Sequence, residues 1–238
     1  MTRSIPLRAR SVAAKQQRQQ AILDAARSLG LERSVREVTL TDIAAAVGMH
    51  KSAMLRYFET REQIFLTLTA EGWQEWSAAI GSRLRDLSDD AGPESVAAAV
   101  AESLVARPFF CDLLAQAPLN LERNVSPDTA RAFKKVVLAE VDTVTAVLRR
   151  RLGVTERQAR DVISTATGMA GALWQMAAPG THLRTLYEAH PELAHALVDV
   201  GPQLTRILTA LLRGMRATPT AAPDSVEGTS ATCSGSRP

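Results

Sequence analysis

Residues 47–58, VGMHKSAMLRYF, hold a glycine, two cations and an aromatic pair within about three helical turns. Read as a helix, the segment carries Met54 and Phe58 one turn apart, on the face that packs inward. His50, Lys51, Ser52, Ala53, Leu55 and Arg56 are left outside, with Tyr57 beside them. Small Ser52 and Ala53 allow close approach, and Lys51 and Arg56 can reach phosphates or guanine edges, which is what a DNA major groove accepts. A solvated amphipathic helix with chance cations carries the same stripe, so the flanking residues must decide.

Upstream, TLTDIAAAVG (39–48) is a punctuated short helix. Thr39 can cap it while Asp42, at the third helical position, returns the favour in a capping box. Leu40, Ile43, Ala44 and Val47 form its apolar stripe, and Gly48 ends it where a tight bend calls for positive φ. Earlier still, Ile22, Ala25, Ala26 and Leu29 recur at helical spacing in a helix that begins at Lys15 and stops near Gly30. Two short helices, 39–46 and 50–57, joined at a glycine and preceded by a third are the layout of a helix-turn-helix unit.

The charge distribution agrees. Residues 1–60 hold ten Lys/Arg against five Asp/Glu, whereas the remainder holds eighteen against twenty. A basic head on a mildly acidic body implies a polyanionic partner for the head. Other classes fall away. The two cysteines, Cys111 and Cys233, make no disulfide framework and suit a reducing cytoplasm. The basic start lacks the apolar run of a signal peptide, and the uncharged stretch 162–181 is too polar to span a bilayer. There is no Gly-rich phosphate loop, no HExxH and no paired-Cys spacing, and His182, His190 and His195 lack accompanying ligands. Neither catalytic residues, a metal nor a cofactor is expected.

The stretch ILDAARSLGLERSVREVTLTDIAAAVGMHKSAMLRYFETREQIF, residues 22–65, resembles the N-terminal domain of TetR-family transcriptional regulators. The resemblance implies an all-α protein: a three-helix DNA-binding head, a connecting fourth helix, and a larger helical domain that binds an effector and dimerises. It implies further that Thr39 and Thr41 approach the DNA backbone, that Lys51, Ser52, Ala53 and Arg56 face the groove, and that Arg61 holds a phosphate. Two departures stand out. His50 occupies the usual Ser capping position, and Leu55 replaces a common Tyr, exchanging a hydroxyl for a side chain suited to a thymine methyl.

Beyond residue 80 only the residues speak. Thr60 and Gln63 open the connecting helix in a capping-box arrangement, and helices follow near 93–106, through RPFFCDLLAQA, from Ser126 to Gly153, and from the TERQ box at 155–158 to about 178. Pro179-Gly180 breaks that helix, and a last helical region, 191–216, is expected to kink at Gly201-Pro202. The chain thus divides into a flexible basic arm (1–14), the head (15–60), the body (61–216) and a disordered tail (217–238). Helix 155–178 is apolar on every side, and Gly168, Ala170 and Gly171 would admit a second helix. With Leu204, Ile207, Leu208, Leu211 and Leu212 of the last helix, it suggests a homodimer through 155–178 and 202–214; an ordinary monomeric core is the competing reading. Trp73, Trp76, Phe109, Phe110, Met169, Trp174, Met176 and Tyr187 are candidates for a pocket taking a small apolar or amphipathic effector, or else plain core. The function expected is a cytoplasmic, ligand-released repressor on a pseudo-palindromic DNA operator. The alternatives are a ligandless DNA-binding or adaptor protein and, more remotely, a helical enzyme.

Overall fold

The computed structural model describes residues 7–177 and 179–217, and every regular element among them is helical. The head consists of α1 (Leu7–Arg33), α2 (Leu40–Ala46) and α3 (Lys51–Met54). Helix α4 (Arg61–Asp86) leaves it for the body, which is built from α5 (Pro93–Val105), α6 (Pro108–Gln116), α7 (Pro127–Leu152), α8 (Glu156–Ala177), α9 (His182–Ala189) and α10 (Val200–Ala217). Single 3-10 turns, Leu121–Asn124 and Pro191–Ala196, precede α7 and α10. Residues 1–6 of the expected arm and 218–238 of the expected tail lie outside the described residues.

The punctuation forms largely as expected. Thr39 and Asp42 make a reciprocal capping box on α2, Thr155 and Gln158 make one ahead of α8, and Ser126 caps α7, which ends at left-handed Gly153. Gly48 has φ +63°, as the turn between α2 and α3 requires. At α4 the reciprocity shifts by one residue. The Thr60 hydroxyl accepts from the Gln63 backbone N–H, but the Gln63 side-chain oxygen Oε1 takes the N–H of Glu59 rather than of Thr60.

Three boundaries depart from expectation. Helix α1 starts at Leu7, so residues 7–14 are helix rather than loose arm; they are good helix formers standing directly after Pro6. It also runs past Gly30 to Arg33, and Ser34, with φ +76°, takes the left-handed position instead. Gly30 serves packing: a Cβ there would lie 2.5 Å from the Phe109 ring of α6. Near the C-terminus, α10 begins only at Val200, so Gly201 and Pro202 sit in its first turn and cause no kink. A proline there forfeits no hydrogen bond, because first-turn N–H groups have no helical acceptor.

Two apolar cores result. In the head, Ile22, Ala26, Val35, Ile43, Met54 and Phe58 pack with Ile64 and Phe65 of α4, and body residues Leu113, Leu121 and Phe133 complete the cluster. A three-helix head cannot bury enough surface alone, so the head's core does not close at residue 60. In the body, Trp73, Trp76, Ile80 and Leu84 of α4 belong to one cluster with residues of α5, α6, α7, α8 and α10. Helix α8 is enclosed by α5, α6, α7 and α10 of its own chain. That explains its apolar circumference without a second molecule. Gly171 admits the α6 backbone, since a Cβ there would come within 2.8 Å of the Ala115 nitrogen, and Ala170 is buried. Of the three small residues only Gly168 faces outward.

Candidate nucleic-acid interface

Helix α3 is a single turn of helix extended by hydrogen bonds from the Tyr57 and Phe58 N–H groups to the Met54 carbonyl. It is shorter than the 50–57 read from the sequence. Met54 and Phe58 are 0% and 6% exposed, so the inward face is as expected. On the outside, His50, Lys51, Ser52, Leu55 and Arg56 are exposed, and Ala53 and Tyr57 are half-buried. Lys51 and Arg56 pair with nothing among the described residues, leaving both cations available to a ligand. His50 starts the helix without a side-chain capping bond.

Helix α2 stands beside this face. Thr39 and Thr41 are exposed at its start. The Asp42 carboxylate accepts from the Thr39 N–H (2.9 Å) and hydroxyl (2.8 Å), with the Arg33 guanidinium 3.8 Å away. These bonds, and secondarily Arg33, hold its carboxyl below the ordinary aspartate range, so the box stays ionised and intact at neutral pH.

Arg61 turns elsewhere. Its guanidinium donates to the carbonyls of Val38 and Val35 and to the Glu62 carboxylate (3.0 Å), and it stacks 4.7 Å over the Phe65 ring. The side chain is only 13% exposed. The resemblance implies a phosphate ligand here; in the structure this arginine ties the start of α4 to the α1–α2 loop. Two of its five N–H donors go to loop carbonyls that no helix satisfies.

The expected effector residues do not gather around one space. Trp73, Trp76 and Phe110 pack edge-on or tilted, with centroids 5.5–6.4 Å apart, and the Trp76 indole N–H donates to Ser103 (3.0 Å). This is finished core. Phe109 faces α1 in the other cluster; Met169 and Trp174 are partly buried at the edge of the body core, Tyr187 is half-buried, and Met176 is exposed. An open cleft of about 420 Å³ lies instead between α4 and α7, lined by Leu66, Ala70, Ala132, Phe133 and Val136 with Gln63, Thr67, Asp128 and Thr129. A second, of about 410 Å³, lies around Arg149, Arg150 and Gly153 at the end of α7.

Sequence reading overlooked Glu59 and Asp112. The Glu59 carboxylate accepts from the Ser126 N–H at the cap of α7 (2.9 Å), and that bond chiefly holds its carboxyl below the usual glutamate range. Asp112, buried on α6, accepts from Ser34, Val35 and Gln175. A lone acid within apolar RPFFCDLLAQA was the available signal. Among the described residues, no group of three or more His, Cys, Asp or Glu side chains could hold a metal ion. No helix among them is long and apolar enough to cross a membrane.

An all-helical chain with a helix-turn-helix head and a larger helical body defines a class of regulatory proteins, and comparison with known proteins narrows it. Residues 22–68 match the family model described as bacterial regulatory proteins, tetR family, and residues 70–219 match the tetracyclin repressor-like C-terminal domain. The chain belongs to the TetR family of transcriptional regulators. No curated protein sequence matches it. Among solved structures it resembles the fatty acid degradation regulator FadR of Bacillus halodurans (14% identity, TM-score 0.54, covering 83% of this chain and 99% of that one). It also resembles FadR of Thermus thermophilus in complex with lauroyl-CoA (23%, 0.53, 86% and 97%) and FadR of Bacillus subtilis in complex with stearoyl-CoA (14%, 0.51, 80% and 97%). At these identities the likeness is one of fold.

Proposed function

We propose that this chain is a ligand-responsive repressor that binds a pseudo-palindromic DNA operator as a homodimer and leaves it when a small apolar or amphipathic molecule binds. The observation that carries the reading is α3: Lys51 and Arg56 stand exposed and unpaired among the described residues, on a platform of buried Met54 and Phe58. Lys51, Ser52, Ala53, Leu55 and Arg56 face the groove, and Thr39, Thr41, His50 and Tyr57 flank it. Two such heads in one dimer reach half-sites about 34–36 Å apart. The outward faces of α8 and α10, with exposed Ser164, Gly168, Ala172, Arg206 and Ala210, form the dimer contact.

The effector enters between α4 and α7, where Leu66, Ala70, Phe133 and Val136 offer an apolar lining. The Gln63–Thr129 contact spans this cleft, and the Glu59–Ser126 bond closes its upper end. A ligand that parts α4 from α7 therefore strains the end of α4 next to α3. The acyl-CoA complexes of the two FadR structures make fatty acyl-CoA thioesters the first compounds to assay. Packing of Trp73, Trp76 and Phe110, which fills the region where the sequence suggested a pocket, supports a second reading without any effector.

Selection of duplexes from random DNA by the full-length chain should enrich a two-fold symmetric site, and lauroyl-CoA should release it. Ala132→Trp, which fills the cleft from an exposed position, should abolish release and leave DNA binding intact. Release that persists in this variant would remove the α4–α7 cleft from the mechanism. A monomer by light scattering at micromolar concentration would sink the dimer.

A further inference from the structure

A carboxylate in an apolar helix is tolerated only when its oxygens are hydrogen-bonded. Asp112 is 4% exposed and lies on α6 between Cys111 and Leu113, both fully or nearly fully buried. One oxygen, Oδ2, accepts from the Val35 N–H (2.7 Å) and the Ser34 hydroxyl (2.9 Å). The other, Oδ1, accepts from the Gln175 amide nitrogen (2.8 Å), near the C-terminal end of α8. Two of the three donors thus belong to the head and one to α8 of the body.

The head residues concerned are constrained in other ways. Ser34 is the one non-glycine residue with positive φ among those described, and such a conformation persists only where its surroundings over-determine it. The Ser34 N–H bonds to the Gly30 carbonyl, and its hydroxyl goes to Asp112. Val35 and Val38 are buried, and their carbonyls accept from Arg61. The loop 34–38 is therefore gripped by α6 on one side and by α4 on the other. Thr39, the next residue, caps α2.

We propose that Asp112 is a positioning residue for DNA recognition: its carboxylate, steadied by Gln175, fixes the α1–α2 loop and with it the placement of α2 and α3 on the body. The proposal rests on the DNA-binding reading above. It makes the end of α8 a control point, because any displacement of Gln175 frees one oxygen of the carboxylate that holds the head.

The test compares the wild-type full-length chain with Asp112→Asn, Gln175→Ala and Ser34→Gly. The last keeps the left-handed backbone free of strain and removes the hydroxymethyl side chain with its donor. Two quantities are read: amide hydrogen exchange over residues 34–46, and affinity for the duplex that the wild-type chain enriches from random DNA. Asp112→Asn should speed exchange across 34–46 and weaken the duplex about tenfold or more, the loss expected when charge-assisted bonds go. Gln175→Ala and Ser34→Gly should act in the same direction by about threefold each. Exchange within α5 and α10 should stay at wild-type rates, which separates loosening of the head from general unfolding. If Asp112→Asn does not fold, the two milder variants decide. Faster exchange with unchanged affinity assigns Asp112 to packing alone and overturns the proposal, as does wild-type exchange in all the folded variants. Failure of the wild-type chain to enrich any duplex would overturn the DNA-binding reading itself, while the exchange data would still report whether the carboxylate holds the loop.

Discussion

The first turn of α4 and its second half are held in different ways, with Ile64, Phe65, Leu66 and Leu68 between them buried in the head's core. Its first turn is fastened by directional bonds: Thr60 to the Gln63 N–H and the Asn124 carbonyl, Arg61 to the carbonyls of Val35 and Val38, and Gln63 to Thr129. Its second half is fastened by interlocked apolar side chains, Trp73, Trp76, Ile80 and Leu84, against the other helices of the body. Packing of the second kind resists displacement from every direction and loses free energy steeply when a side chain is removed. Bonds of the first kind have alternative partners in water and can be exchanged one at a time. The helix that joins head to body is thus packed into a core at both ends, and at the DNA end alone its first turn adds a layer of exchangeable bonds to the α1–α2 loop and to α7. A regulator needs that asymmetry.

Substitutions at four sites test the contrast, in descending order of their effect on stability. Trp76→Ala should cost about 3–5 kcal/mol in urea unfolding, because it empties the aromatic cluster and strands Ser103. Arg61→Ala should cost about 2 kcal/mol, since two buried carbonyls lose their donor. Arg61→Lys should recover little of it, because an ammonium lacks the fork that reaches both carbonyls. If Arg61→Ala matched Trp76→Ala, the two ends of α4 would be equally rigid and the contrast would fail.

Glu59→Gln should matter less, and only above the acid range. The Glu59 carboxyl is depressed in the folded chain, so the stability it contributes is present above its unfolded pKa and is lost as pH falls through the lower folded value. The wild-type stability profile should therefore fall below about pH 4.5, and Glu59→Gln should flatten that part of it. An unchanged profile would detach Glu59 from the seam with α7. Lys51→Ala should leave stability within about 0.5 kcal/mol. It should, however, weaken all duplexes and reduce the log–log salt dependence by about 0.9 for each phosphate that the lysine had neutralised. Weakening confined to one base pair would make Lys51 a base reader instead.

Local chemistry was the most readable part of the sequence. A capping box, a proline at the first helical position or a positive-φ glycine is decided by neighbours within four residues, and Thr39 with Asp42, Ser126 with Pro127, and Gly48 form accordingly. The helix-turn-helix followed from such signals, and the family from the resemblance of residues 22–65. What covers an apolar face is not local. The apolar circumference of α8 suggested a second molecule, yet α5, α6, α7 and α10 of the same chain supply the cover. The aromatic residues looked like a pocket lining, yet Trp76 finds Ser103 from twenty-seven positions away in sequence and the cluster closes. The loop partners of Arg61 and the donors to Asp112 stay out of local view for the same reason: they lie 23 to 78 residues distant.

Beside Asp112 sits Cys111, whose thiol donates to the Leu104 carbonyl and whose pKa is pushed up to about 12 by burial and by the neighbouring carboxylate. A thiol so situated is chemically silent until it meets solvent, because only the thiolate reacts. In a Cys233→Ser background it becomes a clock for the interior. Its alkylation rate counts how often α6 lifts from α5, one residue from the bond that holds the head. Acceleration by an effector, and slowing by operator DNA, would let a single chemical rate follow the opening of that joint without any label being added to the protein.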